Sequence, residues 1–268
     1  MPASVRFSTV ALLWIGCLLG DQKPAPRVAP YYDAASIVNG ADNQSGQFAA
    51  NTIATIYGTN LAYSTAAISE NDISAGLLPI VLGSSETQVF INNYPANLYY
   101  VSPGQINFLI PPNVTGTSMA VRVTVDALVG PTISFPLGAA APGLFQLDAS
   151  NAVATFADGS VVTPQSPAQP GDVVVLWATG LGATDPNPLY GRVPTEAAPV
   201  TATNLAILLD GVPVAPGAIA YAGLAAGFPG LYQINLTLPA STGTNPEIRV
   251  QLDGAISIPN VHLPVTSN

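Results

Sequence analysis

Residues 53–61 read IATIYGTNL and residues 173–181 read VVVLWATGL, which is one pattern, an apolar run closed by a turn, written twice. Two further pairs follow in the same order: QINF at 105–108 recurs as QINL at 233–236, and VRVTVD at 121–126 recurs as IRVQLD at 248–253. The offsets are 120, 128 and 127 residues (53 to 173, 105 to 233 and 121 to 248). A repeat of that length is a whole small domain, so the sequence predicts two copies of one folding unit.

Composition and patterning predict that both units are built from strands. Hydrophobic residues make up 49% of the 268 residues and charged residues 8%, which favours a folded chain over a disordered one. The 24 glycines and 26 prolines separate short apolar runs and mark turns. Residues 120–127 and 232–238 alternate apolar and polar side chains, as half-buried strands do. About seven strands per unit predict an all-β chain of two tandem immunoglobulin-like β-sandwich domains.

The domain boundaries follow from the repeat and from the N-terminal segment. We expect the first sandwich to span residues 37–147 and the second to span residues 151–268, after a linker at 21–36 and a signal peptide at 1–20. The apolar run at 7–19 has about the length of a signal h-region and is short of the ~20 residues of a membrane span. The mature chain is therefore expected to lack a membrane span.

Cys17 leaves the type of signal open. It is the only cysteine, so no internal disulfide can form. The sequence Ile15-Gly16-Cys17 is similar to the end of a bacterial lipobox, although Trp14 fits that pattern poorly. Ordinary cleavage and lipidation at Cys17 are the two alternatives.

The charge balance argues against nucleic acid as a partner. Lys and Arg together number 6, Asp and Glu together number 15, and the net charge is −9. Binding to phosphates needs clustered basic side chains, and none are clustered here. A surface of low charge that is rich in Thr, Ser, Asn and Gly fits an extracellular or cell-surface setting.

No catalytic or metal-binding residues are predicted. His262 is the only histidine, and it lies in a predicted last strand at 261–265, whereas a zinc site needs three or four ligands. A hydrolase remains an alternative and would need two acids facing each other about 5–10 Å apart. No cofactor is expected, with Ca²⁺ as an alternative whose ligands would be Asp148, Asn151 and Asp158, or Asp185 and Asn187.

Aromatic and basic residues at equivalent repeat positions carry structural expectations. Tyr57 and Trp177 lie in continuous apolar runs, so each is predicted to anchor the core of its domain, with a ligand platform as the alternative. Arg122 and Arg249 lie on the polar faces of their strands and are predicted to be solvated or paired with acids.

Four tyrosines form the candidate ligand site. Tyr94, Tyr99, Tyr100 and Tyr190 lie in or beside predicted loops, and exposed tyrosines are suited to stacking against sugar rings. A strip of three such rings would favour carbohydrate recognition, whereas inward packing would disfavour it.

Several segments together resemble a domain family that is abundant in Acidobacteria, especially in Solibacter-type genomes. These segments are residues 56–62, 100–108, 141–145, 170–172, 178–182, 221–225 and 230–235. The family is an uncharacterised C-terminal domain of secreted proteins. The resemblance implies exported immunoglobulin-like modules, similar to IPT/TIG domains, and implies no catalytic residues.

These observations predict an exported, non-enzymatic protein that acts as an adhesive, extracellular-matrix or surface-assembly module. The expected partners are a cell-surface or matrix protein or a glycan, and self-association through sheet edges is a further expectation. The alternatives are a carbohydrate-binding module that uses the loop tyrosines and, least favoured, a hydrolase.

Overall fold

A computed structural model describes residues 27–84 and 86–266. The predicted signal peptide and Cys17 lie outside the described residues. The first unit contains β1 (Ile37–Asn39), β2 (Ile53–Tyr57), β3 (Ala66–Ala67), a 3-10 helix (Glu70–Asp72), β4 (Thr87–Ile91), β5 (Tyr94–Pro95), β6 (Asn97–Val101), β7 (Gln105–Leu109), β8 (Ser118–Val125), β9 (Leu128–Val129) and β10 (Ile133–Pro136).

The second unit has a parallel set of elements. It contains β11 (Gly143–Leu144), β12 (Ala154–Phe156), β13 (Val173–Thr179), β14 (Ala198–Pro199), β15 (Ala206–Leu209), β16 (Val212–Pro213), a 3-10 helix (Pro216–Ala218), β17 (Ile219–Leu224), β18 (Tyr232–Thr237), β19 (Ile248–Leu252) and β20 (Ala255–Ile256).

Each unit is a sandwich of two antiparallel sheets. In the first unit the sheets run β1-β2-β7-β6-β3 and β10-β8-β4-β5, with β9 beside β8. In the second they run β11-β13-β18-β17-β14, with β12 beside β13, and β16-β15-β19-β20. The order β2-β7-β6-β3 thus recurs as β13-β18-β17-β14, which confirms the predicted pair of tandem immunoglobulin-like sandwiches.

The pairing register reproduces the sequence repeat residue by residue. Tyr57 pairs with Gln105 in the first unit, and Trp177 pairs with Gln233 in the second. Each copy also carries a β-bulge at one equivalent place, which leaves Tyr99 unpaired in β6 and Ala220 unpaired in β17. A bulge bends its strand and changes the direction of the extra side chain. Both copies therefore have the bulge, but the redirected residue is Tyr99 in the first copy and Ala220 in the second.

Two buried clusters, one between the sheets of each unit, form the cores. Ile56 and Ile106 lie in the first cluster, and Leu176 and Ile234 lie in the second. The prediction that Tyr57 and Trp177 anchor these cores is wrong. Neighbouring side chains on a strand point to opposite faces, so the buried residues Ile56 and Leu176 direct the two aromatic rings outward.

The outward rings have partners on the sheet surface. Tyr57 is 41% exposed, and its hydroxyl donates a hydrogen bond to Asn43 Oδ1 at 3.1 Å. Trp177 is half-buried, and its Nε1 donates to Thr155 Oγ1 at 3.3 Å. The runs at 53–57 and 173–177 therefore place large apolar side chains on both faces of their sheets, with Thr55 as the polar exception.

Three local features differ from expectation: the last strand, the start of the second unit and the start of the first. Residues 261–265 form isolated bridges, including one between Asn151 and His262, in place of the predicted last strand. Gly143–Leu144, expected in the first unit, pairs with β13 of the second because its backbone completes that sheet edge. Tyr32, expected in the linker, is 3% exposed, and its hydroxyl accepts a hydrogen bond from the Val123 amide at 2.7 Å.

Most sheet edges are short. The edge strands β3, β5, β14, β16 and β20 have two residues each. Short edges offer few free backbone groups to a partner strand. The expected self-association through sheet edges stays a prediction.

Equivalent two-residue turns close the hairpins. Asp126 and Ala127 have φ angles of 48° and 65°, and Asp253 and Gly254 have φ angles of 49° and 82°. Positive φ at both central positions matches the right-handed twist of the paired strands. The Asp253-Gly254 turn has glycine at its second central position, whereas its counterpart in the first copy holds an alanine in a conformation that favours glycine.

A buried hydroxyl joins the two sandwiches. Thr179 at the end of β13 is 0% exposed. Its Oγ1 accepts a hydrogen bond from the Ile53 amide at 2.9 Å and donates one to the Gly230 carbonyl at 2.7 Å. Gly230 packs so closely that a Cβ there would lie 2.6 Å from Leu109 Cδ1 of the first unit. The junction thus combines satisfied polar groups with tight contact.

Two loops, each specific to one copy, pair across this junction. Four residues (62–65) separate Leu61 from β3, whereas sixteen (182–197) separate the equivalent Leu181 from β14. Conversely, the first copy has the longer connection from β3 to β4. The Leu78 amide donates to the Gly191 carbonyl at 2.8 Å, and the Val193 amide donates to the Gly76 carbonyl at 2.9 Å. The extra loops therefore fasten the domains to each other.

A buried carboxyl lies in the loop between β1 and β2. Asp42 is 7% exposed, and its Oδ1 accepts a hydrogen bond from the Gln44 amide at 3.0 Å. Burial raises the pKa of this carboxyl to about 6, and the bond from Gln44 offsets only part of that effect. The charged form is therefore disfavoured in the folded chain.

Ala127→Gly is expected to stabilise the first domain. A non-glycine residue in the left-handed region costs about 1–2 kcal/mol, which glycine would avoid. The greater freedom of glycine in the unfolded chain offsets about 0.5–1 kcal/mol of that stabilisation. We expect the free energy of unfolding to rise by about 0.5–1 kcal/mol in urea titrations. The equivalent change Gly254→Ala should lower it, and the same sign for both variants would contradict the argument.

Thr179→Val is expected to weaken the domain junction. The change leaves the Ile53 amide and the Gly230 carbonyl buried without their partner, which costs about 1–3 kcal/mol. Thermal unfolding and limited proteolysis at the junction would measure the loss. Thr59→Val is the matched control, because Thr59 is the repeat equivalent and is exposed. If the two variants were equally stable, the Thr179 hydroxyl would not contribute to the stability of the junction.

Asp42 is expected to make folding stability depend on pH. Its pKa rises from 3.8 to about 6 on folding, so the folded chain binds this proton more tightly than the unfolded chain does. Tighter binding of the Asp42 proton stabilises the folded chain fully below pH 3.8, and this stabilisation is lost as the pH rises to about 6. Asp42→Asn should abolish that loss and raise the free energy of unfolding at pH 7 by about 2–3 kcal/mol.

Urea denaturation between pH 4 and 7 would test this prediction. Asp72→Asn is the control, because hydrogen bonds from Ser69 lower the pKa of the exposed Asp72 carboxyl. That variant should keep the decline between pH 4 and 6. Parallel pH profiles for the unaltered chain and Asp42→Asn would refute the assignment.

Candidate functional site

Two of the four predicted tyrosines line one cavity, which we call the tyrosine pocket. Its volume is about 350 Å³, and its walls include Tyr94, Tyr190, Asn92, Asn113 and Thr115. Two prolines and two aliphatic side chains complete the lining, and no charged residue takes part. This combination of aromatic walls and a few polar groups is typical of small-ligand sites.

A tight turn presents Tyr94. Asn92 and Asn93 have φ angles of 49° and 70° and reverse the chain between β4 and β5. Asn92 Oδ1 accepts a hydrogen bond from the Ala120 amide at 2.8 Å, which ties the turn to β8. Ile91 pairs with Tyr94 across the hairpin, so Tyr94 emerges directly above the core and is 71% exposed.

Tyr190 comes from the other domain. It lies in the inserted loop 182–197, next to Gly191, whose carbonyl is bonded to Leu78 of the first unit. Asn187 Nδ2 in the same loop donates to the Pro112 carbonyl at 3.3 Å. These contacts place a half-buried ring of the second domain against the end of the first sandwich.

The Tyr190 hydroxyl is enclosed. It has no hydrogen-bond partner among the described residues, and burial raises its pKa. A neutral hydroxyl can both donate and accept a hydrogen bond. Tyr190 therefore lines the pocket, while its hydroxyl oxygen is closed off from solvent by the protein.

Tyr99 and Tyr100 lie elsewhere. The hydroxyl of Tyr99, the bulge residue, donates to the Pro229 carbonyl of the second domain at 2.6 Å, and burial raises its pKa. Tyr100 is half-buried on β6. The four tyrosines thus do not form one exposed strip, since two line the pocket, Tyr99 packs at the junction and Tyr100 lies on β6. The strip of three rings that would favour carbohydrate recognition is not formed by them, and ligand binding by Tyr99 and Tyr100 stays a prediction.

Sequence reasoning missed the polar residues of the pocket. Asn113 and Thr115 lie on the exposed loop after β7, and Asn92 lies in the turn after β4. The Asn92-Asn93 pair indicates a tight turn, since Asn tolerates positive φ. The approach of loop 113–115 to that turn has no local signature.

The second domain has an equivalent hollow that lacks aromatic residues. By register, Val212 takes the place of Tyr94, and Asp210 takes the place of Asn92. This hollow measures about 690 Å³, and both residues line it. No inserted loop of the described chain fills it, which explains its larger volume and makes it an internal comparison for the tyrosine pocket.

A polar cleft of about 410 Å³ lies between the β1–β2 loop and the turn after β19. Asp42 and Asp253 line it. The described residues contain no group of three or more His, Cys, Asp and Glu side chains that could hold a metal ion.

The carboxylates considered for Ca²⁺ bind their own loops. Asp148 accepts hydrogen bonds from the side chain of Asn151 and from the Ser150 amide, which lower its pKa. Asp158 is bonded in the same way to Ser160. Asp185 and Asn187 are exposed, and Asn187 is engaged with Pro112. The role of Ca²⁺ stays a prediction.

Within residues 27–84 and 86–266, no helix is long and apolar enough to span a membrane.

Residues 37–137 match the family model of the IPT/TIG domain. The match covers the strands of the first sandwich from β1 to β10. Among curated proteins, none matches the chain. The IPT/TIG similarity agrees with the immunoglobulin-like topology of that domain.

Solved structures that match this chain include the extracellular region of plexin A4, with 14% identity, a TM-score of 0.30, and coverage of 91% of this chain and 19% of that one. The surface glycan-binding protein PbSGBP-B from Prevotella bryantii has 14% identity and a TM-score of 0.24, with 85% and 41% covered. The tandem Ig repeats of Dlar have 11% identity and a TM-score of 0.22, with 90% and 96% covered. The chain thus spans about a fifth of the plexin region that it matches.

Proposed function

We propose that this chain is an exported, non-enzymatic module that binds a cell-surface or matrix partner through a surface built from both domains. The observation that carries the proposal is the buried junction around Thr179, which holds the two sandwiches in one relative placement. Because the placement is fixed, residues of both domains can form one binding surface, and binding carries no entropic cost of fixing one domain relative to the other.

Two features of the sequence support export. The apolar run at 7–19 after Arg6 has the form of a signal h-region. The resemblance to secreted Acidobacterial domains also supports a location outside the cytoplasm. This location, together with a surface that carries few charges, supports an adhesive or assembly role.

A binding experiment with purified residues 21–268 tests the proposal. We expect the protein to be retained by a cell-surface or matrix fraction and to turn over no substrate on glycosidase, esterase and protease panels. Bovine serum albumin serves as the retention control. A soluble monomer that binds neither fraction would overturn the proposal, and so would turnover that disappears when paired acids are replaced.

A further inference from the structure

We infer that the tyrosine pocket binds one neutral sugar unit of a glycan, with Tyr94 and Tyr190 as the contact residues. This inference rests on the proposed function and names the chemistry of its ligand. Sugar rings present flat C–H faces edged by hydroxyl groups, so they need an aromatic surface together with amide or hydroxyl partners. The pocket supplies both from five side chains.

The stacking surface is Tyr94. Its ring is 71% exposed at the mouth of the cavity, beside the buried end of β4. An aromatic side chain buries about 150–250 Å² when it is covered, and a single pyranose face can cover much of one ring. A hydrogen-bonded turn holds Tyr94 in place, so stacking requires little ordering of the protein.

The hydrogen-bonding partners are the side chains of Asn92, Asn113 and Thr115. Amide and hydroxyl side chains offer donors and acceptors side by side, as vicinal sugar hydroxyls require.

Charge and size narrow the ligand class. The pocket has no charged lining residue, so an acidic ligand would find no cationic partner there. The net charge of −9 on the chain would also repel such a ligand. A proline-rich peptide would also suit tyrosines, but it needs an extended aromatic groove. The cavity of about 350 Å³ is closed on one side by the Tyr190 loop and suits one compact unit.

Affinity electrophoresis of residues 21–268 in gels containing xylan, mannan, soluble starch or mixed-linkage β-glucan tests the inference, with polygalacturonate and a proline-rich peptide as competing ligands. We expect retardation by at least one neutral polysaccharide. Tyr94→Ala should weaken it about tenfold or more. Asn113→Ala should weaken it about threefold to tenfold without loss of thermal stability, because Asn113 is exposed.

Val212→Ala is the matched control, because Val212 is the repeat equivalent of Tyr94 and is 67% exposed. It should bind as the unaltered chain does. Absence of retardation in all four gels, equal binding by Tyr94→Ala, or preference for polygalacturonate or the peptide would overturn the inference. If a cell-surface fraction still retains Tyr94→Ala, the pocket assignment fails while the surface module stands. If the fraction fails to retain the unaltered chain, the proposed function itself fails.

Discussion

The buried Thr179 hydroxyl is the contact on which the arrangement of the molecule depends. It lies between an amide of the first sandwich and a carbonyl of the second, and both of these groups would otherwise be buried unpaired. Gly230 lets the two backbones approach closely at the same point. Because polar satisfaction and close packing coincide there, the relative placement of the domains follows from a few atoms.

The two copies have diverged where they meet. The repeat equivalents Thr59 and Thr179 are the same residue, yet Thr59 is exposed and Thr179 is buried. The shared bulge carries Tyr99 in the first copy, which reaches Pro229, and an exposed alanine, Ala220, in the second. Each copy has lengthened a different loop, and the two loops pair with each other. The divergence therefore concentrates on the contact between the domains.

The tyrosine pocket is a consequence of that divergence. Both copies have a hollow beside an equivalent hairpin, β4–β5 or β15–β16. Each hollow is lined by a proline at the same register position, Pro95 or Pro213. Only the hollow of the first copy faces the inserted loop of its neighbour, and only there do aromatic rings line the wall. One shared scaffold thus gives a narrow aromatic pocket and a wide aliphatic hollow.

The sequence by itself determined the all-β class, the two-copy organisation and most strand positions, because strand alternation and turn residues such as Asp253-Gly254 are local signals. It also singled out Tyr94 and Tyr190. It misassigned Tyr57 and Trp177, since a run that is apolar on both faces does not show which face meets the core. Only the tertiary structure decided that Tyr94 and Tyr190 share a pocket and that Tyr99 belongs to the junction. Those placements depend on hydrogen bonds between loops more than a hundred residues apart, such as that of Leu78 with Gly191, which no local pattern encodes.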